Sequence, residues 1–527
     1  MKLPLSLFTP FSLFLLLACG TPEAIGQPAE MVKPHDLRVP ASMTPAVAAS
    51  TFNRFRDSVI TRPAPFFYQV INQGWKYGMG DPSLGLEVSL QDRPALDTVV
   101  HLPHRVNQPN WPFWYEKSLT LTHEVYLYAK GDDGVQCFIN GKLQPPAMGN
   151  YFRIPASPEP VRVSVRVLNN AMSGGLQKAA LMYPKDFKAY AMNRREMLLQ
   201  QALKYLQEQG VSTADNNRAA EINRVLLAED TVAMIKLISE FPDLLQPGWP
   251  AAEEFHSDRP GFSFTAWGDS QGGWNTFSKL VTNMAGSNDD FSIGLGDLVS
   301  NGSDEYEWQQ FLQCLQPLLK KQNVITVPGN HDYDGYYHTL EPLLYKKYIL
   351  GEKNSHTYQK WLYNEAIFLT LDPNQQFPLG IGDEQYRWMT GLMNSPAWNN
   401  ARWRFLLIHQ PPYSQGWPGY HGDAFIRELV DSLAEDREID LVLSGHSHDY
   451  ERLVKKYGEQ QTHFVILGGA GGSLEPDSSS AYPAMDKVIK QHHYARFKVQ
   501  KNKITVTVLG ITNEILDQFE VVKQTPE

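Results

Sequence analysis

Five short apolar runs between Phe262 and Arg452 each stop at a residue able to bind a metal ion. Phe262-Ser263-Phe264-Thr265-Ala266-Trp267 ends at Gly268-Asp269-Ser270-Gln271, and Phe291 to Leu295 ends at Gly296-Asp297. Val324 to Pro328 ends at Gly329-Asn330-His331-Asp332, Phe405 to Ile408 at His409, and Leu441 to Ser444 at Gly445-His446-Ser447-His448. A polar group at the end of a buried strand costs several kcal/mol unless it is paired or bound. Carboxylates, amides and imidazoles placed only at such tips point to one shared ligand-binding site.

Strands buried on both faces of a parallel sheet read as continuous apolar runs, and such sheets bind ligands beyond their carboxyl ends. The connecting sequence supplies crossovers. Trp308 to Leu319 is amphipathic, Ala366 to Leu371 reads as a strand followed by a helix from Gln385 to Met393, and Phe425 to Leu433 reads as a helix. Toward the end, Phe464 to Leu467, Tyr494 to Val499, Ile504 to Leu509 and Phe519 to Val521 read as strands completing a second sheet. The expected fold is α/β: two packed sheets with helices on their outer faces.

In their order, Gly-Asp, Gly-Asp, Gly-Asn-His-Asp, a lone His after an apolar strand and Gly-His-x-His resemble the metallophosphoesterase (calcineurin-like) superfamily. Gly445-His446-Ser447-His448-Asp449-Tyr450-Glu451-Arg452 and the tail from Tyr494 to Val521 are similar to its purple acid phosphatase branch. The resemblance covers about residues 258–522 and implies two metal ions about 3.5 to 4 Å apart that acidify a shared water and clamp the reacting oxygens. It implies Asp297 as the bridge, Asp269, Gln271 and His448 on one ion, and Asn330, His409 and His446 on the other. By the same resemblance His331 contacts the phosphoryl group and protonates the leaving oxygen, with Asp332 as its partner. His421 falls near a substrate-contacting histidine of that branch. Two positions depart from the pattern. Ser300 stands where purple acid phosphatases carry tyrosine, so no purple colour is expected, and Gln271 stands where many relatives carry histidine. A nitrogen and oxygen ligand set without thiolate suits Fe, Mn or Zn.

The remainder of the 527 residues is too long for one core, so further domains are expected. Lys+Arg 47 against Asp+Glu 57 gives a net charge of -10 without a basic run, which disfavours a nucleic-acid polymer as partner. Residues 1–19 read as a signal peptide: Met1-Lys2, an apolar stretch to Leu17, then Leu16-Leu17-Ala18-Cys19-Gly20, which resembles the lipobox of bacterial lipoproteins. An exported, lipid-anchored protein facing the periplasm or the cell surface is expected, with residues 20–62 as a tether. Cys137 and Cys314 are too few for a disulfide framework.

Residues 63–185 alternate as half-buried strands do, at Leu86 to Leu90, Val125 to Tyr128 and Val161 to Val167, with Asn140-Gly141 as a hairpin turn. They predict an antiparallel β-sandwich, similar to galactose-binding-like jelly rolls. Trp111, Phe113 and Trp114 could stack on a glycan, although aromatic clusters more often fill cores. Residues 186–250 predict a helical hairpin connector, with Arg194, Arg195 and Glu196 on its solvated face. The expected function is metal-dependent hydrolysis of a small phosphate ester, a monoester favoured. The alternatives are a phosphodiesterase acting on a nucleotide, glycan or lipid headgroup, or a non-catalytic glycan-binding surface lipoprotein.

Overall fold

The computed structural model describes residues 65–523, apart from 81–92, 209–216, 229, 240–253, 256–260, 334–341, 351–355 and 376–379. The signal peptide, Cys19, the tether and the strand expected at Leu86 to Leu90 lie outside the described residues.

Two sheets face each other across residues 254–522. One has six strands in the order Asn323–Thr326, Phe291–Gly294, Phe262–Trp267, His493–Val499, Lys503–Gly510, Ile515–Val522. Its first three strands run parallel and the last three antiparallel. The other has eight strands, with Ala366–Leu371, Trp403–Ile408, Leu441–Ser444 and Gln460–Leu467 as a parallel centre. The run at Phe464 to Leu467 therefore belongs to this sheet and not with the tail strands, because its register neighbour is Leu441–Ser444.

The space between the sheets is filled by phenylalanines. Phe264 stacks on Phe497 at 4.5 Å and meets Phe405 edge-on at 5.6 Å, while Phe405 stacks on Phe368 at 4.4 Å. Such pairs add about 0.5–1.5 kcal/mol each beyond area burial. Helices Trp274–Gly286 and Glu305–Leu319 cover the outer face of the six-stranded sheet through Phe277, Leu280, Phe311 and Leu315. Asp383–Met393 and Ala424–Arg437 cover the eight-stranded one through Met389, Ile426 and Val430.

An antiparallel β-sandwich of a four-stranded and a six-stranded sheet precedes this domain. Its Asn140-Gly141 turn has φ of 48° and 88°, the doubly left-handed geometry that closes a two-residue hairpin. Phe113 and Trp114 are fully buried and Trp111 packs against the core, so the aromatic cluster is interior packing. Cys137 and Cys314 are both free.

Among the described residues the connector holds three helices, Pro184–Glu208, Asn217–Ala228 and Thr231–Ser239, where a hairpin is expected from the sequence. Asp230 accepts the Val232 and Ala233 N–H groups, which starts a third helix inside what reads as one apolar pattern. Arg194 is not on a solvated face either. It makes a two-pronged pair with the Asp304 carboxylate at 2.8 and 2.7 Å and lies over the Tyr306 ring.

Candidate metal centre

All five strands that carry candidate ligands run parallel to their neighbours among these five, so their carboxyl ends emerge together. Three come from the six-stranded sheet and two from the eight-stranded sheet. The site lies where the two sheets' strand tips meet. Asp269, Asp297 and His446 have φ of 61°, 50° and 71°, left-handed values that cost a non-glycine residue of order 1–3 kcal/mol. Tight contacts hold them there. Both oxygens of Asp269 accept the His446 N–H, at 3.0 and 2.9 Å, and Asp297 Oδ1 accepts the His331 N–H at 2.9 Å. A Cβ at Gly329 would overlap the Asp297 carboxylate, and one at Gly445 would fall 2.5 Å from Asp269 Oδ2, so only glycine admits the approach.

Two donor groups result. Asp297, His409 and His446 have donor atoms within 4.8 Å of one another, and so do Asp269, Asp297 and His448. Asp297 belongs to both. His409 donates its Nδ1–H to Leu295 O at 2.7 Å, which turns Nε2 toward Asp297 Oδ1 at 3.3 Å. That buried Nε2 has no hydrogen-bond partner. His448 likewise donates from Nδ1 to Ser473 O at 2.7 Å and turns Nε2 toward Asp269 Oδ1 at 3.5 Å. A ring nitrogen this close to a carboxylate needs a proton or a cation between them, and an imidazole fixed through its other nitrogen is the usual form of a metal ligand.

Asn330 Oδ1 lies 3.1 Å from His446 Nδ1, on the side of the Asp297, His409 and His446 group. The Gln271 amide sits 3.3 Å from Asp297 Oδ2 and 2.9 Å from His448 Nε2. Its nitrogen faces them, and an amide turned by half a rotation presents Oε1 to the same point. These residues fit two cations.

Charge at the site follows burial and proximity. Burial, reinforced by the Asp297 charge, raises the Asp269 carboxyl well above the usual range. Burial also works to raise Asp297, but the His409 and His331 imidazoles outweigh it and hold Asp297 below that range. Burial, with His409 alongside, pushes His446 down, and burial lowers His448 too, so both offer neutral imidazole to an ion. Desolvation pulls His331 down, but Asp297, Asp133 and Asp132 more than offset it and raise it to about 9.

The family model described as Calcineurin-like phosphoesterase matches residues 262–450, the segment that carries every one of these groups. Those residues are a calcineurin-like phosphoesterase domain. The resemblance within that family runs to purple acid phosphatases. Purple acid phosphatase 22 of Arabidopsis thaliana is 24% identical over 190 residues, covering 34% of this chain and 43% of the relative. A nucleotide pyrophosphatase/phosphodiesterase of Hordeum vulgare is 22% identical over 260 residues, covering 43% of this chain and 69% of the relative. Among solved structures, purple acid phosphatase PPD1 from yellow lupin seeds (Lupinus luteus) is 12% identical, with a TM-score of 0.44 over 82% of this chain and 78% of that one. The chain spans less than half the length of the first curated relatives it matches.

The phosphoesterase domain brings Asp269, Gln271, Asp297, Asn330, His409, His446 and His448 together and sets His331 beside them. Two other expectations change. Asp332 does not partner His331: its carboxylate accepts the N–H groups of Leu298, Val299 and Gly329 at 2.8, 3.2 and 2.8 Å, tying the Asp297 turn to the Asn330 turn. His331 instead directs Nδ1 to Ser300 O at 3.2 Å and Nε2 toward Asp133 at 3.7 Å. His421 turns to Tyr482, stacking on its ring at 4.0 Å and contacting its carbonyl at 2.7 Å. The rings against His446 are those of Trp417 and Tyr420, at 5.6 and 5.5 Å. Sequence reasoning missed Asp133, Trp417 and Tyr420. The last two sit in the loop from Gln415 to Asp423, which reads from the sequence as a specificity loop without either ring standing out, whereas Asp133, in the Asp132-Asp133-Gly134 stretch of the β-sandwich, carries no metal-site pattern.

Proposed function

We propose that the phosphoesterase domain hydrolyses small phosphate esters with two bound metal ions, Fe, Mn or Zn, and that monoesters are its main substrates. The observation that carries this reading is the Asp297 carboxylate common to two donor groups. Two ions held there would polarise the phosphoryl oxygens and supply an activated water. The chain's own residues do the rest. Asp297, Asp269 and the three ligand histidines fix the geometry, and the Trp417 and Tyr420 rings wall the His446 side and exclude water. His331, with its backbone N–H held by Asp297 and its ring partly exposed, holds a proton on Nε2 for the leaving oxygen.

The test is metal analysis and turnover of the purified full chain. About two ions per chain and cleavage of aryl and alkyl monoesters are expected. His331→Ala should keep the ions and slow alkyl phosphates by about 10²–10⁴-fold, the range for loss of a general acid, and aryl phosphates less. An equal loss on both would reject the proton-donor role.

Diester cleavage is the second reading, favoured by similarity to the barley nucleotide pyrophosphatase/phosphodiesterase. A faster rate on bis(p-nitrophenyl) phosphate than on p-nitrophenyl phosphate would select it. We also propose that the chain is exported and held at a membrane through a lipid on Cys19, on the strength of Leu16-Leu17-Ala18-Cys19. Cys19→Ser should release it from the membrane fraction, and unchanged sedimentation would reject the anchor.

A further inference from the structure

The phosphoesterase motifs account for every donor around the candidate ions, yet one charged group at the site comes from outside them. Asp133 lies in the turn between strands Val125–Lys130 and Gly134–Ile139 of the β-sandwich. Its side chain is 6% exposed, and both of its oxygens are engaged. Oδ2 accepts the Asn170 N–H at 2.5 Å, which pins the carboxylate to its own domain. Oδ1 accepts from Asn330 Nδ2 at 2.9 Å and stands 3.7 Å from His331 Nε2.

The consequence for Asn330 follows from donor and acceptor chemistry. A carboxylate can only accept, so the end of the Asn330 amide that faces Asp133 must be the NH2 group. The carbonyl oxygen then lies on the opposite side, 3.1 Å from His446 Nδ1 and so beside the Asp297, His409 and His446 donors. Within the motif Gly329-Asn330-His331-Asp332, Asp332 is occupied by backbone N–H groups, and the Ser300 contact to His331 is through its main-chain carbonyl. No other carboxylate is placed to do this for both Asn330 and His331 in the hydrogen bonds and ion pairs of the described residues.

We propose that Asp133 is a positioning residue of the metal centre. It aims the Asn330 carbonyl at one ion and the His331 Nε2 at the mouth of the site, so that the β-sandwich completes the site instead of being a detachable binding module. The part concerning His331 rests on the phosphoesterase reading, and the part concerning Asn330 needs only metal binding.

The experiment is a pair of double-mutant cycles on the full chain. In the first, Mn²⁺ is titrated into metal-free wild type, Asp133→Ala, Asn330→Ala and the double variant. Asp133→Ala should weaken one of the two sites by about 10–100-fold, the usual effect of removing a group that orients a ligand. It should weaken that site no further once Asn330 is gone. In the second, kcat on aryl and alkyl phosphates is measured at saturating metal for Asp133→Ala with and without His331→Ala. The loss should fall on kcat more than KM, be larger for the alkyl ester, and vanish in the His331→Ala background. Asp133→Asn is the near-isosteric second variant. Its single amide oxygen cannot accept from both Asn170 and Asn330, so it should move both readouts the same way, and thermal melting checks that each variant folds. Unchanged Mn²⁺ affinity in folded Asp133→Ala or Asp133→Asn, or losses that add in both cycles, would overturn the proposal. If wild type binds two ions but cleaves no phosphate ester, the function proposed above fails while the metal cycle still decides the role of Asp133.

Discussion

At the scale of single residues, the site depends on one carboxylate serving two donor groups and on imidazoles whose second nitrogen is already committed. Removing Asp297 takes a ligand from both ions and leaves His409 Nε2, already without a hydrogen-bond partner, facing no carboxylate. Asp297→Ala should therefore bring metal content close to zero and cut kcat by about 10³-fold or more, the loss expected when a preorganised electrostatic group disappears. Elemental analysis beside the assay checks this, and retention of two ions would reject the shared bridge. Gln271 makes the opposite case. Its amide occupies a ligand position between Asp297 and His448, and a neutral amide is a weaker donor than imidazole. Gln271→His should tighten the site that contains Asp269 and His448 while leaving the other unchanged, as read by stepwise Mn²⁺ titration. Equal affinity in the two proteins would mean that residue 271 does not reach the ion.

Elements explain what was legible beforehand. Strands Phe262–Trp267 and Leu441–Ser444 begin and end where their largely apolar runs do, because burial leaves no charged residue inside them and a glycine closes each. The same runs exposed the ligands at their tips. What alternation and periodicity could not show is which elements meet. Asp133 lies 164 residues before Asp297 in a turn of another domain, and its role exists only because that domain docks against Asn330. Arg194 was misread for a related reason, since an amphipathic helix shows its polar face but not which charges another element will cover. Its partner Asp304 also accepts the Tyr306 N–H as the cap of helix Glu305–Leu319, so one carboxylate starts a helix and neutralises a side chain that is 17% exposed. Asp304→Ala should destabilise the fold by about 2–3 kcal/mol, combining a lost cap with a partly buried arginine left without its partner. Urea unfolding measures it, with ions bound per chain as the control that should not move. A loss under about 0.5 kcal/mol, the range of an unremarkable surface change, would show that neither role matters.

For the whole molecule, the two sheets must stay closed for tips on both to share a site, and the sequence similarity at Tyr450 to Arg452 and in the tail has a structural reason. Tyr450 OH and Arg452 Nε both bond to Asp517 Oδ2, at 2.7 and 3.1 Å, and Arg452 lies over the Phe519 ring at 4.8 Å. These contacts latch the eight-stranded sheet to the last strand of the six-stranded one. His463 completes the latch by stacking on Phe519 at 5.8 Å, with Nδ1 buried and without a hydrogen-bond partner. Burial, helped by the Arg452 charge and opposed by Asp486, lowers its pKa to about 4 from 6.5. A folded-state value below the unfolded one means the fold prefers the neutral ring. Its contribution is therefore complete above about pH 6.5 and is lost as pH falls from there toward 4, amounting to about 3 kcal/mol. Buried carboxyls with raised values, such as Asp372 and Asp423, act in the opposite direction, so the total pH profile is a sum of opposing contributions. Comparison with a variant isolates the histidine. His463→Phe keeps the stack and cannot take a proton, so its stability relative to wild type should rise by about 3 kcal/mol between pH 7 and pH 4. Denaturant unfolding of both proteins across that range reads the difference directly, and a difference that stays constant with pH would mean that His463 is not held neutral at the junction of the sheets.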